Sequence, residues 1–89
     1  MELKNTVGLM NSTDYKERFL AEYQQLAIRY QKLCAMVEKW DAGALPFVPT
    51  CPRKLYDLQI RAMSDYLAVL EARAAIENVS LFDSIDKAE

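Results

Sequence analysis

The residues with chemistry to offer fall into three groups. Arg18, Gln25, Arg29 and Lys32 lie within a sector of ~60° at helical spacing, beside an apolar stripe that holds Tyr23 and Tyr30. Cationic donors next to aromatic faces suit a nucleotide, because arginine takes phosphate and tyrosine stacks on a base. The plain alternative is a solvated helix flank with pairs such as Glu22 to Arg29. Thr50, Cys51, Arg53 and Lys54 form the second group, at the start of a helix. Free backbone N–H groups, a hydroxyl and two cations make an anion site there. Simple capping explains the same residues, and the glycines of a phosphate-binding loop are missing. Gln59 and Arg73 are the third group, where they interrupt a wide apolar arc. A buried arginine must be paired or face a ligand. Arg73 therefore either bonds to Glu22 or to Glu77 across a subunit boundary, or grips an anion at an oligomer interface. With Tyr66 as a further stacking surface, the candidate ligand residues are Arg18, Tyr23, Arg29, Tyr30, Thr50, Arg53, Lys54, Gln59, Tyr66 and Arg73.

Enzyme chemistry is not among the expectations. The chain has no histidine, which removes the commonest general base and zinc ligand. Its two cysteines, Cys34 and Cys51, have neither metal-ligand nor redox spacing, so the reading is a reducing cytosol with no cofactor and no metal. A net charge of −2 argues against binding of a nucleic-acid polymer, which needs a basic surface. No stretch approaches the ~20 apolar residues of a membrane span.

These groups are positioned by a chain of 89 residues, 52% of them apolar, with two glycines and three prolines. That favours one small all-α domain with few, long helices. At this size a lone core is marginal and self-association is a usual remedy. Residues 1–11 have no period and are expected to form a flexible lead. Ser12-Thr13-Asp14 opens a helix over 13–42, with Asp14 and Glu17 at capping-box spacing. Phe19, Tyr23, Leu26, Tyr30, Leu33, Val37 and Trp40 then alternate steps of four and three, a 3.5-residue repeat. Gln24, Gln31, Lys32 and Lys39 are expected on the opposite, water-facing side. Gly43 is the expected left-handed terminator.

The loop 43–50 contains Leu45-Pro46-Phe47-Val48-Pro49, in which the prolines exclude helix. Phe47 and Val48 are expected to fold back over the open end of the hairpin. Thr50 is the expected N-cap of a second helix over 51–78. This helix carries two apolar seams. One runs Tyr56, Ile60, Met63, Leu67, Leu70, Ala74; the other runs Leu55, Leu58, Ala62, Tyr66, Val69, Ile76. A helix with two seams needs two neighbours, and the chain supplies one. The expected fold is an antiparallel two-helix hairpin over 12–82 with a short C-terminal helical tail and an acidic end at 83–89, assembled into an oligomeric helical bundle.

The chain also resembles a family of short helical-hairpin proteins of phages and prophages, related to a crAss-like phage protein. The resemblance covers about residues 15–81. It is carried by Tyr15-Lys16-Glu17-Arg18, Glu22-Tyr23, Leu26, Arg29, Lys32-Leu33, Phe47-Val48-Pro49-Thr50-Cys51-Pro52, Leu58-Gln59, Ala62-Met63, Tyr66-Leu67 and Leu70-Glu71-Ala72-Arg73. The lead before Asn11 and the segment after Phe82 lie outside it. Such proteins include counter-defence sponges, which assemble and sequester cyclic nucleotide signals of bacterial immunity without catalysis. The resemblance therefore implies a self-associating protein of the host bacterial cytosol that holds a cyclic nucleotide-type ligand. The alternatives are an inhibitor that docks on a host or CRISPR protein, and a purely structural helical oligomer. No sponge motif maps onto this chain residue by residue, so the candidate residues rest on physical grounds.

Overall fold

A computed structural model describes residues 1–81. Three α-helices and one 3₁₀ turn make up its regular structure. The turn spans Leu3–Thr6 and runs into α1 (Val7–Met10); α2 spans Tyr15–Asp41 and α3 spans Arg53–Glu77. The described residues contain no strand. Helices α2 and α3 pack side by side as a hairpin within an elongated body of 42 × 24 × 22 Å. Residues 82–89, with the expected helical tail and acidic end, lie outside the described residues.

The hairpin core forms where the two stripes meet. Phe19, Leu20 and Tyr23 of α2 pack with Leu70 and Ala74 of α3, closed by Val79 and Leu81 beyond it. Of the two seams of α3, the Tyr56–Ala74 seam faces α2: Leu70 and Ala74 are buried and Tyr56, Ile60, Met63 and Leu67 half-buried. The Leu55–Ile76 seam is open to solvent.

The ends of the helices are set locally. Asp14 caps α2 by accepting from the Lys16 backbone N–H at 2.9 Å. The expected reciprocal bond from Glu17 is replaced. The Ser12 hydroxyl accepts from the Asp14 N–H at 3.0 Å and donates to Glu17 Oε1 at 2.9 Å, so serine takes both partners. Helix α2 ends with Gly43 at φ 71°, and the Ala44 N–H reaches back to the Lys39 carbonyl. Helix α3 ends in the same way, with Asn78 at φ 56° and the Val79 N–H on the Ala74 carbonyl. Asparagine tolerates this left-handed position better than other side chains.

Three expectations are corrected. Thr50 does not cap α3; Pro52 occupies the cap position in extended geometry, φ −60° and ψ 144°, with no side-chain bond. Val48 is 90% exposed and Phe47 more than half exposed, so they do not cover the open end. Trp40 against Tyr56 closes it instead, edge to face at 5.6 Å. The lead, expected to be flexible, is helical from Leu3 to Met10 and lies on α2. Leu9 packs against the hairpin core. Thr6 is fully buried, its hydroxyl donating to the Leu3 carbonyl and accepting from Gln25 Nε2.

Candidate functional site

The N-terminal turns run along the basic edge of α2 and occupy most of its donors. Gln25 Nε2 bonds to Thr6 Oγ1 at 2.8 Å and meets Met10 Sδ at 3.4 Å. Lys32 Nζ pairs with Glu2 Oε2 at 3.4 Å, both side chains being largely exposed. Arg18 Nη1 donates to the Ser12 carbonyl at 2.9 Å. The same segment shields Gln24, expected to face water, which is 4% exposed with Oε1 unpartnered. Glu22, the alternative partner of Arg29, takes a bond from the Tyr66 hydroxyl instead. Among the described residues Arg29 makes no ion pair or hydrogen bond.

Arg29 stands on the wall of a groove of about 380 Å³ between α2, α3 and the N-terminal turn. Lys32 and Gln59 line it with Arg29, and Leu3, Leu33, Met36 and Met63 supply its apolar surface. Gln59, like Arg29, has no hydrogen-bond partner among the described residues. The 3.6-residue repeat places Arg29, Lys32, Leu33 and Met36 on neighbouring positions of one helix face. Two cations, a primary amide and polarisable thioethers around one concavity suit a compact anion with an apolar or planar part. The groove lies within a single chain, whereas the sequence placed its pockets between subunits.

The other candidate residues are held in structural bonds or lie elsewhere. Tyr23 donates to Glu71 Oε2 at 2.8 Å across the hairpin. Burial first, and then the neighbouring Glu71 carboxylate, push its hydroxyl up to about 12. Tyr66 reaches Glu22 in the opposite direction. Arg73 is not buried; it pairs with Glu77 within α3 at 2.9 Å, donates to Tyr15 Oη at 2.8 Å and lies 4.8 Å from the Phe19 ring centre. Tyr15 in turn bonds to Glu77. The bonds from Tyr15 and then Arg73 hold the Glu77 carboxyl below its usual range. Arg53 bridges Asp41 at 3.1 Å and Asp57, and lies over the Trp40 ring. The Arg53 guanidinium lowers the Asp41 carboxyl. Tyr30 is half-buried on the α2 stripe, and Thr50 and Lys54 are exposed near the loop. By helix rise, Arg18 and the Asp41–Arg53 pair stand roughly 35 Å apart, so these candidates do not converge on one ligand within a single copy.

Sequence reasoning placed Lys32 on the basic edge but left it out of the ligand set. It also left out Leu3, Leu33, Met36 and Met63. Leu3, Thr6 and Leu9 recur at steps of three, the spacing that marks helical turns docked on a neighbour.

The fold is a short helical hairpin with a polar-edged groove. Residues 13–76, more than two thirds of the chain, match the model of the Sequestin family, and the chain belongs to that family. The family name denotes sequestration, a binding role. Neither the curated proteins nor the solved structures include a match. No helix among the described residues is long and apolar enough to cross a membrane.

Proposed function

We propose that this protein sequesters a compact anionic ligand of nucleotide type in the Arg29 groove and releases it unchanged. The observation that carries the reading is the unpartnered Arg29 guanidinium beside Lys32 and Gln59 in a cleft of about 380 Å³. That volume falls in the range of small-molecule sites. Arg29 takes a phosphate oxygen pair and Lys32 supplies a second positive charge. Gln59 donates to or accepts from a base or ribose edge, and Met36, Met63 and Leu33 carry the planar part. The exposed Glu2–Lys32 pair holds the ammonium only weakly, so a phosphate displaces it.

In its finer form the reading is a phage or prophage counter-defence sponge. It is a self-associated protein in the bacterial cytosol that withholds cyclic nucleotide signals from their receptors. Membership of a family named for sequestration supports this reading. Calorimetry against cyclic di- and trinucleotides and cyclic ADP-ribose isomers tests it. At least one of them binds the wild type, and Arg29→Ala weakens that binding tenfold or more. Absence of heat with every member of the panel removes the reading.

A further inference from the structure

Among the described residues, one buried side-chain polar atom has no hydrogen-bond partner: Oε1 of Gln24, a residue only 4% exposed. A carbonyl stripped of water and not paired again carries an uncompensated cost, and folded proteins keep few of them. Gln24 also lines a cavity of about 220 Å³ beside α2, with Met1, Tyr23, Ala27, Ile28 and Gln31 as its other walls. None of these side chains is charged. Ile28 is buried and Ala27 half-buried, and the Tyr23 hydroxyl is engaged by Glu71. Gln31 brings a second primary amide two turns further along, ~10 Å by helix rise.

We infer that this cavity is a second ligand site, for a neutral, base-sized heterocycle whose edge carries an N–H donor beside an acceptor. Size sets the first limit. The cavity lies below the ~300–1,000 Å³ that hold drug-sized ligands, so it admits one ring system and not a whole nucleotide. Charge sets the second. A phosphate or carboxylate would lose its water here and find no cationic side chain on the walls, so the ligand is neutral.

The amide sets the third. Its carbonyl and NH₂ lie side by side and match an amino-heterocycle edge in two parallel bonds, as glutamine matches adenine. Glutamine has three side-chain torsions, the last of them soft. Its amide therefore swings toward the cavity, and the movement breaks no bond to Oε1, which has none. A ligand that pairs the carbonyl removes the cost the empty protein bears. Ala27, Ile28 and Met1 cover the ring faces.

The site is distinct from the Arg29 groove. At helical spacing Gln24, Ala27, Ile28 and Gln31 centre ~140° around α2 from Arg29, Lys32, Leu33 and Met36. Met1 borders the cavity and Leu3 the groove.

An NMR titration of the full chain with 9-methyladenine and with nicotinamide tests the inference. Saturable shifts are expected with at least one of them at the Gln24 side-chain amide, Ala27 and Ile28. The partners that lack the amino group, 9-methylpurine and 3-acetylpyridine, are expected to bind at least about tenfold more weakly. Gln24→Met keeps the length of the side chain without its amide. It is expected to lose binding about tenfold and to melt above the wild type, because the unpaired atom is gone. Ala27→Leu keeps Gln24, fills the cavity and is expected to bind neither probe. Arg29→Ala is expected to bind them as the wild type does, so this site and the groove stand or fall separately. No saturable shift with either probe up to about 10 mM overturns the inference, as does equal binding of the partners without the amino group. Binding that survives Gln24→Met also overturns it. So does a lower melting temperature in Gln24→Met, which means that ordered water already satisfies the amide.

Discussion

The end of the hairpin around Arg73 and the groove around Arg29 each centre on one arginine, with opposite outcomes. At the end, Arg73, Tyr15 and Glu77 satisfy one another, and the guanidinium lies on Phe19. In the groove, Arg29 and Gln59 have no partner among the described residues, and Lys32 has only an exposed carboxylate. A guanidinium with its bonds filled locks two helices together. A guanidinium left open in a concave, partly apolar wall is free to take a ligand. The difference is set by neighbours: Glu77 lies one turn from Arg73, whereas Glu22, which lies seven residues from Arg29, is engaged by Tyr66.

Truncation of the core separates the framework from both regions and has the largest expected effect. Leu70 is 1% exposed at the centre of the hairpin, so Leu70→Ala is expected to cost about 2–5 kcal/mol, read by urea unfolding. The comparison itself is sharpened by two arginine variants. Arg29→Ala is expected to leave stability within about 0.5 kcal/mol of wild type while lowering nucleotide affinity. Arg73→Ala is expected to do the opposite, lowering the melting temperature with nucleotide affinity intact. Ligand loss in Arg73→Ala with none in Arg29→Ala would invert the assignment.

Tyr23→Phe removes the cross-helix bond to Glu71 and is expected to cost about 1 kcal/mol, measured by denaturant titration. The same bond makes stability depend on alkaline pH. The folded Tyr23 hydroxyl titrates near about 12 against 10.0 for the free group, so the folded state favours the neutral phenol. Its contribution is complete below pH 10 and is lost as pH rises toward 12. An absorbance titration checks this: Tyr15, held to Glu77, and Tyr23 both ionise late in the wild type, and Tyr23→Phe removes one of the two. The smallest effect lies at acid pH. Glu77 and Asp41 titrate below their usual values when folded, so their contribution is present at neutral pH and is lost as pH falls below the ordinary carboxylate range. Asp41 is exposed and Glu77 only half-buried, so melting temperature is expected to fall only slightly until that range is passed, and less in Glu77→Gln.

The hairpin and the two seams of α3 were legible in the sequence because a long helix repeats its pattern many times. Seven apolar positions from Phe19 to Trp40 set the face of α2, and Gly43 marked its end. The N-terminal turns were missed because their period, Leu3, Thr6 and Leu9, is only three positions long and includes a polar residue. Missing them also hid the burial of Gln24 and the contribution of Leu3 to the groove. Of the candidate site, Arg29 and Gln59 were found as polar residues beside apolar stripes, and the structure puts them on one groove. Arg73 and the tyrosines answered the same description. Arg73 was taken up by Glu77 one turn along its own helix, and Tyr23 and Tyr66 by carboxylates across the hairpin, the latter a matter of register and rotamer that helical spacing alone does not carry.

The most direct test of the ligand reading is an amide and side-chain NMR titration of the full chain with a cyclic dinucleotide that gives heat in calorimetry. Saturable shifts are expected at Leu3, Arg29, Lys32, Met36, Gln59 and Met63, with the signals of Tyr15, Arg73 and Glu77 unmoved. Shifts centred on the Arg73 end or on the α3 N-terminus, with the Arg29 groove silent, contradict it.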